Sequence, residues 1–278
     1  MLLSSPLLAL LGCGPDVADT GTAPLPTLAD CTYAYSRDIG LDGVEDETYF
    51  ATHDGEGRVL HWEQLWWAGE QVWDNVYEGN CRVGFTTAVI EGEHWGVTTA
   101  SSRCDTQGQL ISTVQTHDGW DPDEGETESS VYEASYINTY YPDDRLKLRV
   151  TDLDDRWSND SAISYTWYDA DSPLAERLDY DMDGDADWET TYTHDALGDI
   201  VTMTHDRGGH LEDRYMTWRR DGARRVVETV DDRGMDGLGQ DIQTFHYDGD
   251  AAWPDTIDAD TNGDGVVDEL YDIMVTCP

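Results

Sequence analysis

The chain has 278 residues, of which 59 are acidic and only 16 are basic, for a net charge of −43 at pH 7. A surface this acidic repels phosphate backbones and anionic membrane faces, so we expect no nucleic-acid partner. Tyrosine (15) and tryptophan (11) far outnumber phenylalanine (3). This favours β-sheets with one wet face, because an amphipathic ring buries its body and keeps its polar tip in water.

The chain begins with a short apolar run, MLLSSPLLALLGC, that ends in a small residue before Cys13. A membrane-spanning helix needs roughly 20 apolar residues, so the run predicts an export signal over residues 1–12. Leu10-Leu11-Gly12-Cys13 resembles the lipobox of bacterial lipoproteins. The resemblance implies that the signal is cut before Cys13 and that Cys13 is acylated, so that membrane lipid is a partner. It also implies a location in the cell envelope, on the outer membrane or the cell surface.

The segment after this cysteine has three prolines and no aromatic residue between Gly14 and Asp30. This composition is typical of a flexible tether. Residues 13–30 are therefore predicted to be the lipidated cysteine and its linker. Residues 31–278 are predicted to form a β-repeat domain, either as one unit or as a divergent half (31–130) and a more regular half (131–278).

The other four cysteines are Cys31, Cys81, Cys104 and Cys277, an even number that suits an oxidising compartment. Four cysteines allow three pairings. We favour Cys81–Cys104, which are close in sequence, together with Cys31–Cys277, which would join the two ends of the folded domain. The spacing fits no zinc site, so a structural role is expected.

A repeat of about 26 residues runs through the second half of the chain. Aspartates recur at Asp144, Asp169, Asp195, Asp221 and Asp248, with intervals of 25, 26, 26 and 27. Each unit has a β-branched and aromatic run, a turn containing aspartate and glycine, and a second such run, which predicts a β-hairpin. The glycine supplies a residue of positive φ near the end of the turn. The fold class is therefore predicted to be all-β: an antiparallel hairpin-repeat (meander) sheet that twists and coils.

The unit Tyr192-Thr-His-Asp195-Ala-Leu-Gly198-Asp-Ile-Val resembles the YD (RHS-type) repeat. The match is good over residues 192–215 and looser over 165–189 and 245–272. YD repeats form hairpins in a long coiling sheet and occur in bacterial surface proteins, toxins and adhesins. The resemblance implies this architecture and an exterior location.

Segments 179–187 and 260–268, between hairpins, share the spacing D-x-(D/N)-x-D-G-x-x-D. Segment 38–46 keeps it except at the third position, and 232–241 has one extra residue. This spacing is that of the first nine positions of an EF-hand-type calcium loop, whose oxygens converge on one ion while glycine at position 6 permits a sharp turn. The predicted calcium ligands are Asp179, Asp181, Asp183, Asp185 and Asp187; Asp260, Asn262, Asp264, Val266 (through its carbonyl) and Asp268; Asp38, Asp42 and Asp46; and Asp232, Asp236 and Asp241.

The EF-hand glutamate of position 12 is replaced by Thr190 in one full loop and by Tyr271 in the other. We therefore expect weak to moderate calcium affinity, with dissociation constants of about 10⁻⁴ to 10⁻³ M. Glu269, from a neighbouring hairpin, is a candidate additional ligand. The alternative is that these loops are solvated acidic turns, since aspartate and glycine are common turn residues.

These features favour a non-enzymatic, calcium-stabilised surface protein with a structural or adhesion role, whose partner is a cell-surface protein or a glycan. The alternative is a carbohydrate-binding module or secreted hydrolase that uses the dense aromatic cluster of the first half: Trp62, Trp66, Trp67 and Trp73. On one continuous strand, Trp62 and Trp66 would share a face, while Trp67 and Trp73 would take the other.

Overall fold

In the computed structural model, the predicted signal peptide, Cys13 and most of the predicted tether lie outside the described residues. The predicted ligands Asp181 and Asp236 also lie outside the described residues. The structure describes residues 28–92, 94–121, 126–153, 161–167, 172–180, 182–183, 185–206, 213–235, 237 and 239–278.

The described residues form 18 antiparallel strands, so the predicted all-β meander is confirmed. In this part of the chain no helix is long and apolar enough to cross a membrane. The strands are β1 (Thr32–Ile39), β2 (Glu47–His53), β3 (Val59–Trp66), β4 (Gly69–Glu78), β5 (Cys81–Glu91), β6 (His94–Cys104), β7 (Leu110–Asp121), β8 (Glu126–Tyr140), β9 (Leu146–Leu153), β10 (Ser161–Trp167), β11 (Pro173–Asp179), β12 (Trp188–His194), β13 (Ile200–Asp206), β14 (Arg214–Arg220), β15 (Val226–Arg233), β16 (Asp241–His246), β17 (Thr256–Asp260) and β18 (Glu269–Thr276).

The sheet closes into a barrel because the first strand pairs with both the second and the last. Tyr33 lies opposite Ala51 of β2 and opposite Val275 of β18. Every other strand pairs with its neighbours along the chain. Closure leaves the sheet with no unpaired edge, which removes the aggregation hazard of an open meander.

Antiparallel neighbours place successive connections at opposite ends of the barrel. Connections after odd-numbered strands lie at one end, here named the aspartate-loop rim, which carries segments 38–46, 179–187, 232–241 and 260–268. Connections after even-numbered strands lie at the other end, the turn rim. The two ends of the described chain also lie at the turn rim, where Asp30 N–H donates to Asp54 O at 2.8 Å.

The tight turns of the turn rim share one backbone geometry. After β12, Asp195 N–H donates to Asp199 O at 2.9 Å, and Gly198 N–H donates back to Asp195 O at 3.2 Å. Gly198 has a φ of +87°, which glycine adopts at no steric cost. The same pair of bonds recurs in the turns that begin at Asp54, Asp105, Tyr141 and Asp221. The predicted hairpin turns are confirmed at Asp195 and Asp221, where Gly198 and Arg224 are the residues of positive φ. The turn predicted at Asp169 lies outside the described residues.

Asp144 does not occupy the repeat position that its spacing predicts. Tyr141 begins this turn, and Asp144 takes the place that Gly198 holds in the turn after β12, with a φ of +65°. The interval from Tyr141 to Asp195 is 54 residues, about two repeats. The prediction failed because aspartate suits both turn positions: its side chain accepts backbone N–H bonds, and it tolerates the left-handed conformation better than most residues.

A cluster of buried hydrophobic side chains lines the inside of the barrel where β1 meets β18. It joins Tyr33 and Tyr35 of β1 to Phe245, Ile257 and Tyr271 of three neighbouring strands. Ile257 is fully buried, which contributes about 1.5 to 3 kcal/mol relative to an exposed side chain. The core therefore stabilises the seam at which the barrel closes.

A stacked column of rings continues from this core across five adjacent strands. Tyr35 stacks on Tyr49 at 5.2 Å between ring centroids, Tyr49 on Trp62 at 5.8 Å, Trp62 on Trp73 at 5.8 Å, and Trp73 on Phe85 at 5.0 Å. Trp62 and Trp73 therefore share a face, contrary to the prediction. The reason is that the chain reverses at residues 67–68, which sets these two residues directly opposite each other in β3 and β4.

Both predicted disulfides are present, and both lie at the turn rim. Cys31 joins Cys277 with a Cα–Cα distance of 4.3 Å, and Cys81 joins Cys104 at 5.8 Å. The first links the residue before β1 to the residue after β18, across the seam. The second links the start of β5 to the end of β6.

Candidate metal-binding loops

Loop 260–268 folds around the carboxylate of its first residue. Asp260 accepts the N–H groups of Gly263 and Gly265, both at 2.7 Å, and longer bonds from Asn262 and Asp264 at 3.3 and 3.2 Å. Burial raises the pKa of Asp260, but the four N–H groups together outweigh it and hold the pKa below its ordinary value. The loop thus keeps this carboxylate ionised to lower pH than usual.

Asp268 and Asp264 also accept hydrogen bonds from groups within this loop. Asp268, at the ninth position, accepts Thr261 N–H at 3.0 Å and the side-chain amide of Asn262 at 3.1 Å. Asp264, at the fifth position, accepts Val266 N–H at 2.8 Å. The described bonds to these carboxylates therefore come from backbone, amide and hydroxyl donors of the loop itself.

Loop 38–46 repeats this template, although glycine replaces its third ligand. Gly43 N–H donates to Asp38 at 2.8 Å, Val44 N–H to Asp42 at 2.9 Å, and Ile39 N–H to Asp46 at 2.7 Å. These three bonds join the same loop positions as in 260–268. The sequence resemblance between the two loops is therefore also a resemblance in hydrogen bonding.

The described part of loop 179–187 follows the template at two places. Tyr180 N–H donates to Asp187 at 2.5 Å, and Asp185 N–H donates to Asp183 at 2.8 Å. These bonds join positions 2 and 9 and positions 7 and 5. Thr190, which stands where an EF-hand has its last glutamate, bonds instead to His205 at 2.7 Å.

Loop 232–241 requires a correction at its last predicted ligand. Asp232 accepts Gly237 N–H at 2.9 Å, as the template predicts. The position-2 N–H, from Arg233, donates to the side-chain oxygen of Gln240 at 2.5 Å rather than to Asp241. Gln240 is therefore the ninth residue of a loop of regular length, and Asp241 is the first residue of β16. Asp241 was predicted because it is charged. The N–H group of Arg233 needs only an oxygen that accepts a hydrogen bond, and Gln240 supplies one.

All four loops have a left-handed residue at the fourth position. Leu41, Met182, Met235 and Gly263 have φ values of +57°, +57°, +52° and +73°. Three of these are not glycine, and the left-handed conformation costs such residues of order 1 kcal/mol or more. The hydrogen bonds to the first and ninth side chains hold the backbone in this shape.

Three of the loops touch one another along the rim. Gly40 N–H donates to Asp268 O at 2.8 Å, which ties loop 38–46 to loop 260–268. Gly263 lies against loop 232–241 so closely that a Cβ at this position would be 1.8 Å from Gly239 O. These contacts make the three loops one continuous arc.

The donor set of the loops suits calcium, because aspartate, asparagine and carbonyl oxygens are its preferred ligands. Each carboxylate offers about four lone-pair sites, so one that accepts two strong N–H bonds retains capacity for a cation. Among the described residues, however, no three carboxylate, imidazole or thiolate groups converge on one point. Loading an ion would require side chains such as Asn262 and Asp264 to turn inward from their present bonds.

Glu269, the candidate additional ligand, points inside the barrel and is already occupied. Arg37 donates to its two oxygens at 3.0 and 2.7 Å, and the hydroxyl of Tyr271 donates to it at 3.1 Å. Arg37 also binds Glu47 at 3.1 Å. The residue thus belongs to a buried ion-pair layer beneath the loops, which periodicity alone did not reveal.

Asp241 lies in the same inner layer, beside a second ion-pair group. It faces Asp231 across β15 and β16, and Asp231 is only 3% exposed and binds Arg214 at 2.7 Å. Burial, followed by the charge of Asp231, raises the pKa of Asp241. Within the described part of the chain, one Asp241 oxygen is buried without a hydrogen-bond partner. Asp241 is therefore part of the barrel interior rather than of a metal loop.

No protein-family model matches the chain, and no curated protein matches its sequence. Among solved structures, a porin-like protein from Bacteroides uniformis is 12% identical, with a TM-score of 0.40, over 90% of this chain and 99% of that one. TcdB2-TccC3 without its hypervariable C-terminal region is 11% identical, with a TM-score of 0.33, over 81% of this chain and 14% of that one. A mutant of the Photorhabdus luminescens Tc holotoxin pore is 9% identical, with a TM-score of 0.16, over 77% and 18%. Likenesses at this level assign neither a family nor an activity.

Proposed function

We propose that this protein is an exported, lipid-anchored barrel whose aspartate loops bind calcium, and that it has a structural or adhesion role at the cell envelope. The observation that carries the proposal is the repeated hydrogen-bond template of the loops at one rim. A random acidic surface has no reason to place a side-chain oxygen at the ninth position of four loops and bond it each time to the N–H group of the second. We propose no catalytic role.

The polar groups on the wall of the barrel are compatible with an aqueous setting, and the proposed membrane attachment through Cys13 comes from the sequence. Its outward face carries cross-strand threonine pairs, such as Thr193 with Thr202 at 2.6 Å, and ion pairs such as Arg219 with Glu228 at 3.0 Å. These groups keep favourable contacts with water, and they stand beside exposed apolar side chains such as Val76, Ile137 and Met274. The chain enters at the turn rim, so the aspartate-loop rim is the end opposite the anchor and is the natural face for adhesion.

The glycan-binding alternative loses two of its four candidate rings. Trp62 stacks between Tyr49 and Trp73, and Trp73 stacks between Trp62 and Phe85. Sugar rings bind to aromatic faces, and these faces are covered. Of the cluster, Trp67 is the ring that stands out in solvent, at 87% exposed.

Calcium binding is tested by thermal unfolding at fixed ionic strength. One site at ten times its dissociation constant stabilises the fold by RT ln 11, about 1.4 kcal/mol, so several loops should raise the melting temperature clearly. Magnesium should act much less, because it demands tighter octahedral geometry.

The matched variants change charge but keep the hydrogen-bond acceptor. Asp264→Asn with Asp268→Asn should remove a large part of the calcium shift. Asp248→Asn with Asp250→Asn, which changes two exposed aspartates at the turn rim, should leave it intact. Equal responses to the two ions, or equal effects of the two double variants, would show that these loops are solvated turns.

Lipid anchoring is tested separately by Cys13→Ala. The native protein should partition into detergent, whereas the variant should be released or remain unprocessed. Equal membrane retention of both would contradict acylation at Cys13.

A further inference from the structure

A groove runs along the outer wall of the barrel over β1, the strand at which the sheet closes. Its floor consists of two small side chains, Ala34 and Ser36. They face outward because Tyr33 and Tyr35, which alternate with them along the strand, belong to the core inside the barrel. The volume of the groove, about 530 Å³, falls within the usual range of binding sites, about 300 to 1,000 Å³.

Large apolar side chains form the two sides of this seam groove. Ala34 lies opposite Phe50 of β2 and opposite Met274 of β18, so these two side chains stand roughly 10 Å apart, at two strand spacings. Leu65 of β3 extends the Phe50 side. Phe50 is 40% exposed, Leu65 43% and Met274 68%. A partner that covers these side chains therefore removes a connected apolar surface from water.

Three carboxylates complete the lining of the seam groove: Glu45, Glu63 and Asp272. Among the residues that the structure describes, none of the three forms an ion pair. Other carboxylates of the outer wall do, as Glu228 does with Arg219 at 3.0 Å. The groove thus combines apolar sides with negative charge that no described cation of the chain neutralises.

The sheet offers no backbone edge to a partner at this place. The groove follows β1, whose two sides are already paired with β2 and β18. A partner cannot add a strand to a strand that is paired on both sides, so recognition here must come through side chains.

Charge decides which occupant fits the seam groove. The predicted tether has three aspartates and no basic residue over 14–30, and a second copy of the chain brings a net charge of −43. Both would set negative charge against the groove carboxylates. A segment that carries lysine or arginine has the complementary charge, and apolar side chains between its basic residues would match Phe50, Leu65 and Met274.

We propose that the seam groove docks a basic, amphipathic segment of a partner protein. The segment places apolar side chains between Phe50 and Met274. Its lysines or arginines lie beside Glu45, Glu63 and Asp272. None of these five residues is a predicted calcium ligand, so the inference does not depend on calcium and goes beyond the function proposed above.

The probe is a fluorescently labelled amphipathic peptide of leucine and lysine, and its binding is measured by anisotropy. The protein is the chain from residue 13 with Cys13→Ser, so that no lipid is attached, in the presence of a chelator. Salt is kept at about 0.15 M, where the Debye length of about 8 Å screens the remote charges of the protein. The peptide should bind. A peptide of equal charge with serine in place of leucine should bind at least about tenfold more weakly, because it buries no apolar side chain.

The apolar sides are tested by Phe50→Ser with Met274→Ser. This double variant should weaken peptide binding at least about tenfold, because apolar contact is lost on both sides of the groove. Both side chains face outward, so the changes leave the core intact. Val76→Ser with Ile137→Ser is the matched control, since it changes two exposed apolar residues elsewhere on the wall, on β4 and β8, and it should bind as the native chain does.

The charges are tested by Glu63→Gln with Asp272→Asn, which should weaken peptide binding several-fold. Asp248→Asn with Asp250→Asn is the matched control, because it removes the same number of negative charges at an exposed turn. It should leave binding unchanged.

Four outcomes would overturn the proposal. The first two are no binding of the leucine and lysine peptide, and equal binding of the serine peptide, which would indicate general attraction to an acidic surface. The third is equal binding by the groove variants and the native chain. The fourth is self-association of the native chain that Phe50→Ser with Met274→Ser abolishes, which would make a second copy the occupant. None of these outcomes bears on calcium binding, which the melting temperature tests separately.

Discussion

Two aspartates at each rim of the barrel show how differently a carboxylate can be held. At the turn rim, Asp54 binds Arg58 at 2.6 Å and Asp221 binds Arg225 at 2.7 Å, in addition to backbone N–H groups. Burial raises the pKa of both carboxyls, but their hydrogen bonds with these arginines and the backbone outweigh it and lower the pKa overall. At the aspartate-loop rim, Asp260 and Asp268 bind donors of their own loop that carry no charge. The comparison teaches that the partner sets the local charge, because an arginine neutralises the carboxylate that it binds, whereas backbone and amide donors do not. Asp105 and Asp195 show that uncharged donors also hold aspartates at the turn rim.

The largest expected effect is a loss of stability when a disulfide is removed. Both disulfides lie at the turn rim, so this prediction tests a covalent difference between the two rims. Cys31→Ser with Cys277→Ser should cost about 5 kcal/mol, because the loop it opens is very long, and Cys81→Ser with Cys104→Ser about 3 kcal/mol. Urea unfolding of the oxidised proteins measures both losses. If the long-range pair cost less than the short-range pair, closure of the barrel would not depend on the covalent seam.

A second prediction concerns packing between the aspartate loops. Gly263→Ala should cost about 3 kcal/mol, because its Cβ would meet Gly239 O and its φ is +73°. Gly43→Ala is the matched control, since it has a φ of +80° but open space around it, and should cost about 1 kcal/mol. Equal losses in denaturant unfolding would mean that the loops do not form a continuous arc.

The smallest expected effect is the contribution of Asp241, which lies beneath the loops, to the pH dependence of the melting temperature. Its pKa is raised in the folded state, so the stability it contributes is complete below the unfolded pKa of about 3.9 and is lost as pH rises through the folded value. The groups facing it are Asp231, Glu269, Arg233 and Arg214.

Asp241→Asn should therefore melt slightly higher than the native chain at pH 7 and at the same temperature near pH 3. Melting curves across this range provide the measurement. Asp248→Asn, at an exposed turn, serves as the control. A difference that grew toward acid pH would have the wrong sign and would contradict the assignment.

Local chemistry predicted much of this structure. The turn at Asp195 to Gly198 and the two disulfides followed from spacing, because each depends on a few residues. Closure of the barrel did not, since it depends on the pairing of β1 with β18, which no periodic pattern records. The same limit explains the misplacement of Trp73, whose face is set by a chain reversal.

The site shows a similar division. The spacing of the aspartates and of the glycine at position 6 could be recognised in the sequence because the bonds of each loop join residues that are close in sequence. Gln240 was missed because an amide oxygen can replace a carboxylate in accepting Arg233 N–H. The pairing of Glu269 with Arg37 was missed because the two residues are 232 positions apart. Contacts between distant strands decide which acidic residues face inward, and the repeat pattern cannot supply them.

The pairing of the first strand with the last has a consequence for biogenesis. Thr32 lies opposite Thr276, 244 residues later, so a chain that emerges from its N-terminus leaves one side of β1 unpaired until β18 has been made. An unpaired strand is a template for another chain. Two nascent copies in proximity can therefore exchange their last strands, each closing the other's barrel, as in domain swapping. The disulfide at the seam would then join two chains, because Cys31 of one copy would form its disulfide with Cys277 of the other.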